Sequence, residues 1–246
     1  MFSETLELMW GSLPDLLTGA ILTLELVVLG LVIGFVLAVP LALMRTARSP
    51  LLWGPAYGYI FYFRGTPLLV QIYLTYYGLG QFEAVRESIF WPIFREAYWC
   101  AIIAFSLNTA AYTAEIFRGA IQAVPHGEVE AARAVGMPRR LQYRRIILPC
   151  AFRLALPAYS NEVILMLKAS SLASTITLLD LTGAARVIVS RTFAPYEIFI
   201  TAAIIYLLIT FVVTRGFGFA ERRLNAHLKD RPMTDAGPEP ALPVRK

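Results

Sequence analysis

Five long apolar stretches dominate the pattern of the chain, at about residues 16–44, 51–79, 97–121, 154–179 and 198–213. Few charges interrupt them: Glu25 in the first, Arg64 in the second, Glu115 and Arg118 late in the third, Glu162 and Lys168 in the fourth. A spanning helix needs about 20 mainly apolar residues, and each stretch approaches or exceeds that length. The runs lack the strict alternation of barrel strands, so helices are predicted throughout. Lipid offers the backbone no hydrogen-bond partner, which makes the helix the natural form of a long apolar run. The expected fold is an all-α membrane protein with five transmembrane helices.

Composition supports that reading. Of 246 residues, 57% are hydrophobic and only 16% charged, and the mean hydropathy is +0.60. A soluble domain of this size could not cover its surface with so few polar groups. The apolar content is equally far from that of a disordered chain. Two cysteines, Cys100 and Cys150, and two histidines, His126 and His227, provide neither a disulfide framework nor a metal cluster. The net charge of +5 reports which loops face the cytoplasm and is not read as nucleic-acid binding.

Five spans would place the termini on opposite sides. The first 15 residues carry Glu4, Glu7 and Asp15 and no basic residue, so the first run reads as a true span and not a cleaved signal. Sixteen of the 22 Lys and Arg fall after the first span, in the loop after the third, or after the fifth; only four fall on the other side. The positive side is cytoplasmic. The N-terminus (1–15) is thus expected in the periplasm and the C-terminus in the cytoplasm. The segment 222–246 is expected to be a cytoplasmic tail, disordered from about Asp230, where prolines and charges replace apolar residues.

The loop at about 124–149 is long for a connection between neighbouring spans. It opens Val124-Pro125-His126-Gly127-Glu128 and continues Val129-Glu130-Ala131-Ala132-Arg133-Ala134-Val135-Gly136. Ala, Glu and Arg favour a helix, and Glu in the first turn suits its dipole. Gly136 followed by Pro138 is a stop signal. The pattern predicts a short helix with Ala131, Ala132 and Val135 on one small-residue side. Read by itself, this helix and Arg139, Arg140, Arg144 and Arg145 would equally suit anionic membrane lipid.

The spacing Glu130-Ala131-Ala132, three residues, Gly136, nine residues, Ile146, one residue, Leu148-Pro149 resembles the EAA motif of the membrane subunits of bacterial ATP-binding-cassette importers. Three further stretches resemble signatures of the polar amino acid branch of that family. They begin at Arg64-Gly65-Thr66-Pro67, at Asn108-Thr109-Ala110-Ala111 and at Leu156-Pro157-Ala158-Tyr159. The 124–133 block and Asn161-Glu162 are most similar to the M-type permease of histidine, lysine/arginine/ornithine and opine importers. The sequence departs from the wider pattern at Glu128, Cys150 and Ala169.

The resemblance implies a type-1 (MetI-like) transmembrane domain over residues 16–221. It implies that Gly127, Glu130, Ala131, Ala132 and Gly136 form a coupling helix docked on a separate ATPase dimer. It also implies a second permease subunit (Q-type or a second copy), a periplasmic solute-binding protein and an amino acid substrate. The chain itself would bind no cofactor, with ATP and Mg on the partner; no phosphate-binding G-x-x-x-x-G-K loop occurs, nor G-x-S-x-G or H-E-x-x-H.

A charge at mid-bilayer costs about 2.5–3.5 kcal/mol on insertion scales, so each is a functional candidate. Glu162, with Asn161, Ser170, Ser171 and Thr66, is expected to line a substrate path; a carboxylate there suits a cationic amino acid. Glu162 could instead pair with Arg64, Lys168 or a backbone group and fix packing. Gly65-Thr66-Pro67 reads as a helix break beside the path, or as a kink whose freed carbonyl Thr66 satisfies. Glu115 and Arg118 read as an ion pair on one helix face. Gly30 and Gly34 form a GxxxG contact pattern, and Trp10, Trp53, Trp91 and Trp99 read as interfacial anchors. The expected function is a permease for a basic amino acid or opine. A permease for glutamine or glutamate, or a stand-alone secondary transporter, remains open on the residues themselves.

Overall fold

The computed structural model describes residues 2–224, and all regular structure there is helical. In order, the helices are α1 (Phe2–Arg45), α2 (Pro50–Gly65), α3 (Leu68–Tyr73), α4 (Glu83–Arg86), α5 (Trp91–Phe94), α6 (Ala97–Gln122), α7 (His126–Ala134), α8 (Arg139–Gln142), α9 (Leu148–Ala169), α10 (Leu181–Thr192) and α11 (Pro195–Leu224). The tail expected to be disordered from Asp230 lies outside the described residues.

The helices α1, α6 and α11 run in one direction. Gly30 faces Phe105 and Gly34 faces Thr109 on α6, and Leu16 and Ala20 pack with Ile198 and Ala202 on α11. The opposite direction belongs to α2–α3, whose Ile60 packs on Ala111 and Ala114 while Thr75 meets Cys100 through its carbonyl. It also belongs to α9, whose Tyr159 lies beside Phe35 while Val163 and Leu167 reach the level of Leu26 and Phe105.

Lipid tails are as apolar as Leu, so helices in a bilayer associate through close packing and polar contacts and not through a hydrophobic drive. Both devices appear. A Cβ at Gly30 would stand 2.9 Å from that of Phe105, and one at Gly34 would stand 2.8 Å from Thr109 Cγ2. The glycines therefore let α1 and α6 touch nearly backbone to backbone. At the end of the helices nearest α7, Glu115 joins Arg118 at 2.8 Å, as the spacing predicted, and also Arg45 of α1 at 3.1 Å. At the other end, buried Asp180 caps α10 by accepting from the Thr182 and Gly183 amides at 3.2 and 3.1 Å. Thr23 on α1 donates to the Gly19 carbonyl at 3.0 Å and accepts from the Leu181 amide at 2.9 Å, stitching that cap to the first helix.

Three helical segments are long and apolar enough to cross a membrane: Leu6–Arg45, Ala97–Gln122 and Pro195–Leu224. A fourth candidate is a pair, Arg139–Ile176 with Leu181–Thr192, bent by 49°. The second apolar run is not one helix. It breaks at Thr66, which is extended at φ −112° and ψ 143°, because the ring of Pro67 disfavours the helical form of the residue before it. It then passes through a π-helical turn at Leu74–Gly78. The fourth run also differs from the expected 154–179. Its α-helix starts at Leu148, tightens to a 3-10 turn over Ser170–Ile176 and ends where Thr177 turns left-handed at φ 71°.

Candidate functional site

The predicted short helix after α6 forms as α7. It ends in a Schellman motif: the Gly136 amide bonds the Arg133 carbonyl at 2.9 Å and the Met137 amide bonds the Ala132 carbonyl at 3.0 Å. Gly136 sits at φ 72°, where only glycine is unstrained. Its observed part is therefore to terminate the helix.

One expectation about α7 is corrected. Ala131 and Ala132 do not share a side, since neighbours on a helix are about 100° apart. Ala132 is 4% exposed and packs into the protein. Ala131, Gly127, Glu128, Glu130 and Val135 face outward, and Glu130 has no ion pair among the described residues. The outward surface of α7 thus includes Gly127, Glu130, Ala131 and Val135, with Ala132 packed behind it.

The break at Gly65-Thr66-Pro67 forms one wall of a cavity of about 470 Å³. Arg64 and Thr66 line it from the break, Asn108 and Tyr112 from α6, and Glu162 and Ala169 from α9. Glu162 is 7% exposed and has neither a hydrogen bond nor an ion pair among the described residues. The Arg64 guanidinium stacks over Tyr112 at 5.1 Å from the ring centre. The cavity thus holds one cation and one anion that do not pair with each other. It lies near the middle of the helices, at the level of Gly34 and Thr109, and it is open on the side of Arg64 and Leu165, which are exposed.

Three residues expected on the path do not line this cavity. Asn161 is exposed and does not line the cavity. Ser170 is fully buried, and its hydroxyl donates to the Leu167 carbonyl at 2.7 Å. Ser171 likewise donates to the Lys168 carbonyl at 2.8 Å. Short hydroxyls in a tightening helix satisfy themselves on the preceding turn, which a sequence cannot distinguish from a lining role.

Thr66 does not satisfy the freed carbonyl. Pro67 has no amide to give the Phe63 carbonyl. That oxygen accepts instead from Gln71 Nε2 at 2.9 Å and Asn108 Nδ2 at 3.3 Å. Gln71 Oε1 in turn accepts from Asn108 at 3.0 Å, and Gln71 Nε2 also reaches Thr66 Oγ1 at 2.8 Å. Sequence reading missed Gln71, Asn108 and Tyr112 as site residues; a buried amide in an apolar run was the available signal. Replacing Gln71 with Leu leaves these acceptors underbonded and is expected to cost about 1–3 kcal/mol of stability. Thermal unfolding of the purified protein checks this, and an unchanged midpoint would refute the support role.

Packed all-α spans around a cavity at mid-depth, with a charged helix presented on one end, define a membrane transport component. Residues 30–226 match the family model described as "Binding-protein-dependent transport system inner membrane component", and the chain belongs to that family. It is a multi-pass inner-membrane permease subunit of a transporter, not an enzyme, and its fold is that of type-1 ABC importer transmembrane subunits. The nopaline transport system permease protein NocM of Agrobacterium fabrum is 52% identical over 227 residues, covering 92% of this chain and 94% of that one. The histidine/lysine/arginine/ornithine transport system permease protein HisM of Escherichia coli K12 is 47% identical, covering 86% of this chain and 90% of that one. Among solved structures, a crystal structure of an amino acid ABC transporter with histidines matches with a TM-score of 0.79 and 38% identity, covering 87% of this chain and 96% of that one.

Proposed function

We propose that this chain is the M-type permease of an importer for a basic amino acid (histidine, arginine, lysine or ornithine) or an opine. The observation that carries the reading is the unpaired Glu162 across the midplane cavity from Arg64. A buried carboxylate without a partner is costly, and a cationic side chain would supply the missing charge. Arg64 offers planar N–H donors to the solute's α-carboxylate. A zwitterion with an extra positive group matches both ends. The names of the relatives above support the same substrate class.

Five passes carry the chain through the membrane, with the N-terminus periplasmic and the C-terminus cytoplasmic. A solute-binding protein delivers the ligand outside. A second permease subunit, of Q-type or a copy of this one, closes the open side of the cavity at Leu165 and Arg64. An ATPase dimer holding ATP and Mg docks on the outward face of α7, and Glu130 pairs with a basic residue there. Movement of that dimer reaches the cavity through α9, because Val129 of α7 packs with Ala151 and Ala155 near its start.

The test is to purify the complex and measure which ligand-loaded binding protein stimulates its ATPase. Stimulation by basic amino acids is expected; stimulation by glutamine or glutamate alone would refute the substrate class. In the same assay Glu130→Lys is expected to lower stimulated hydrolysis to the unstimulated level while the permease remains inserted. Full coupling in that variant would refute the docking role of α7.

A further inference from the structure

A second cavity, of about 430 Å³, lies where the 3-10 turn Ser170–Ile176 meets α10. Ser174, Thr175, Thr177 and Ser190 line it, with the hydroxyls of Ser174, Thr175 and Ser190 donating to the Ser171, Leu172 and Val187 carbonyls; Arg186 gives it a cation, and no carboxylate among the described residues lines it. Arg186 has no ion pair among the described residues and makes one long hydrogen bond, to the Ser174 carbonyl at 3.5 Å. Most of its five N–H donors are therefore uncommitted. A cavity of this chemistry selects an anion with planar, paired oxygens.

One helical segment borders both cavities. Residues three apart eclipse on a 3-10 helix, so Ala169, Leu172 and Thr175 project along the same side. Ala169 lines the midplane cavity and Thr175 lines the second. The spacing between them is about 12 Å at the 3-10 rise of about 2 Å per residue. Leu172, half-buried against the core, lies between Ala169 and Thr175 along that segment.

We propose that the Arg186 cavity is an outer waiting site of the solute path, taking the amino acid's carboxylate before the solute passes Leu172 to Glu162 and Arg64. The proposal rests on the importer reading and on this end of the helices being periplasmic. At the second site the cation reads the group that all amino acids share; at the first, Glu162 reads the side chain.

The test uses the intact complex in nanodiscs, with Ser190→Cys as reporter; native Cys100 and Cys150 are buried. Relative to their rates with a small free thiol, anionic sulfonatoethyl methanethiosulfonate is expected to label Cys at position 190 about tenfold faster than the cationic trimethylammonioethyl reagent, through local electrostatic focusing. Adding Arg186→Gln should erase that preference. Millimolar L-arginine should slow labelling, and L-argininamide, which lacks the carboxylate, should not. Equal protection by both, or no charge preference, overturns the proposal. Protection that follows phosphatidylglycerol content and not arginine would make this a lipid-headgroup site, and protection only by unliganded binding protein would make it a protein contact; either result overturns it. Arginine protection should persist with Glu162→Gln, so loss of transport at the inner cavity is read separately from failure here.

Discussion

Uptake of lysine and arginine is expected to fall by about 10- to 150-fold in Glu162→Gln, the equivalent of losing one charge-assisted hydrogen bond worth about 1.5–3 kcal/mol. The residue faces a cavity, has no hydrogen-bond or ion-pair partner among the described residues, and keeps its shape in the substitution, so the loss should appear in transport and not in assembly. The complex should still purify with its partners and keep its unstimulated ATPase. The expected penalty also depends on the solute: a neutral amino acid presented by an altered binding protein should lose little or gain. Reconstituted uptake across a ligand series measures this. Equal rates for wild type and variant with arginine would leave Glu162 a packing group and remove the basis for choosing a basic solute.

The second large effect is at the contact between α1 and α6. Gly34→Leu places a side chain where even a Cβ would lie 2.9 Å from the Ser106 carbonyl, a backbone atom that cannot swing away. Overpacking typically costs about 1–3 kcal/mol, and more where backbones must separate. Separation here would also pull Asn108, next to Thr109 in the chain, off the Phe63 carbonyl. The variant is expected to lose most of its folded, detergent-stable population, read by fluorescence-detected size-exclusion chromatography after heating. Gly58→Ala is the matched control. Apart from its own helix backbone, nothing among the described residues lies within 4 Å of a Cβ there, and Ala gains about 1 kcal/mol of helix propensity over Gly. Its stability should therefore be unchanged or slightly raised. A Gly34→Leu variant as stable as Gly58→Ala would show that the close approach has no energetic weight.

Much of the fold was legible in the residues alone. Hydrophobic run length and the positive loops pointed to an all-helical membrane chain. The Glu130-Ala131-Ala132 to Gly136 spacing located a helix whose stop the observed Schellman motif explains. The Glu115–Arg118 pair and the Gly30/Gly34 contact were also legible, because each depends only on local helical spacing or on residue size. Asn161, Ser170 and Ser171 do not line the cavity of this subunit, because hydroxyl and amide types alone do not say which way a side chain turns. Arg45 was invisible as a partner of Glu115, being 70 positions away.

By itself, then, the sequence determined the features that transfer energy and local geometry control: helices where apolar runs must satisfy their own backbone, a break at Pro67 where an amide is missing, and a terminus at Gly136. Only the tertiary structure decided which distant groups repair that break, that Ala132 turns in while Ala131 turns out, and that Glu162 faces Arg64 across open space without touching it. The physical reason is that local backbone rules act over a few residues. Partner choice for a buried polar group depends on which helices lie side by side, and that is settled by packing along the whole length of the chain.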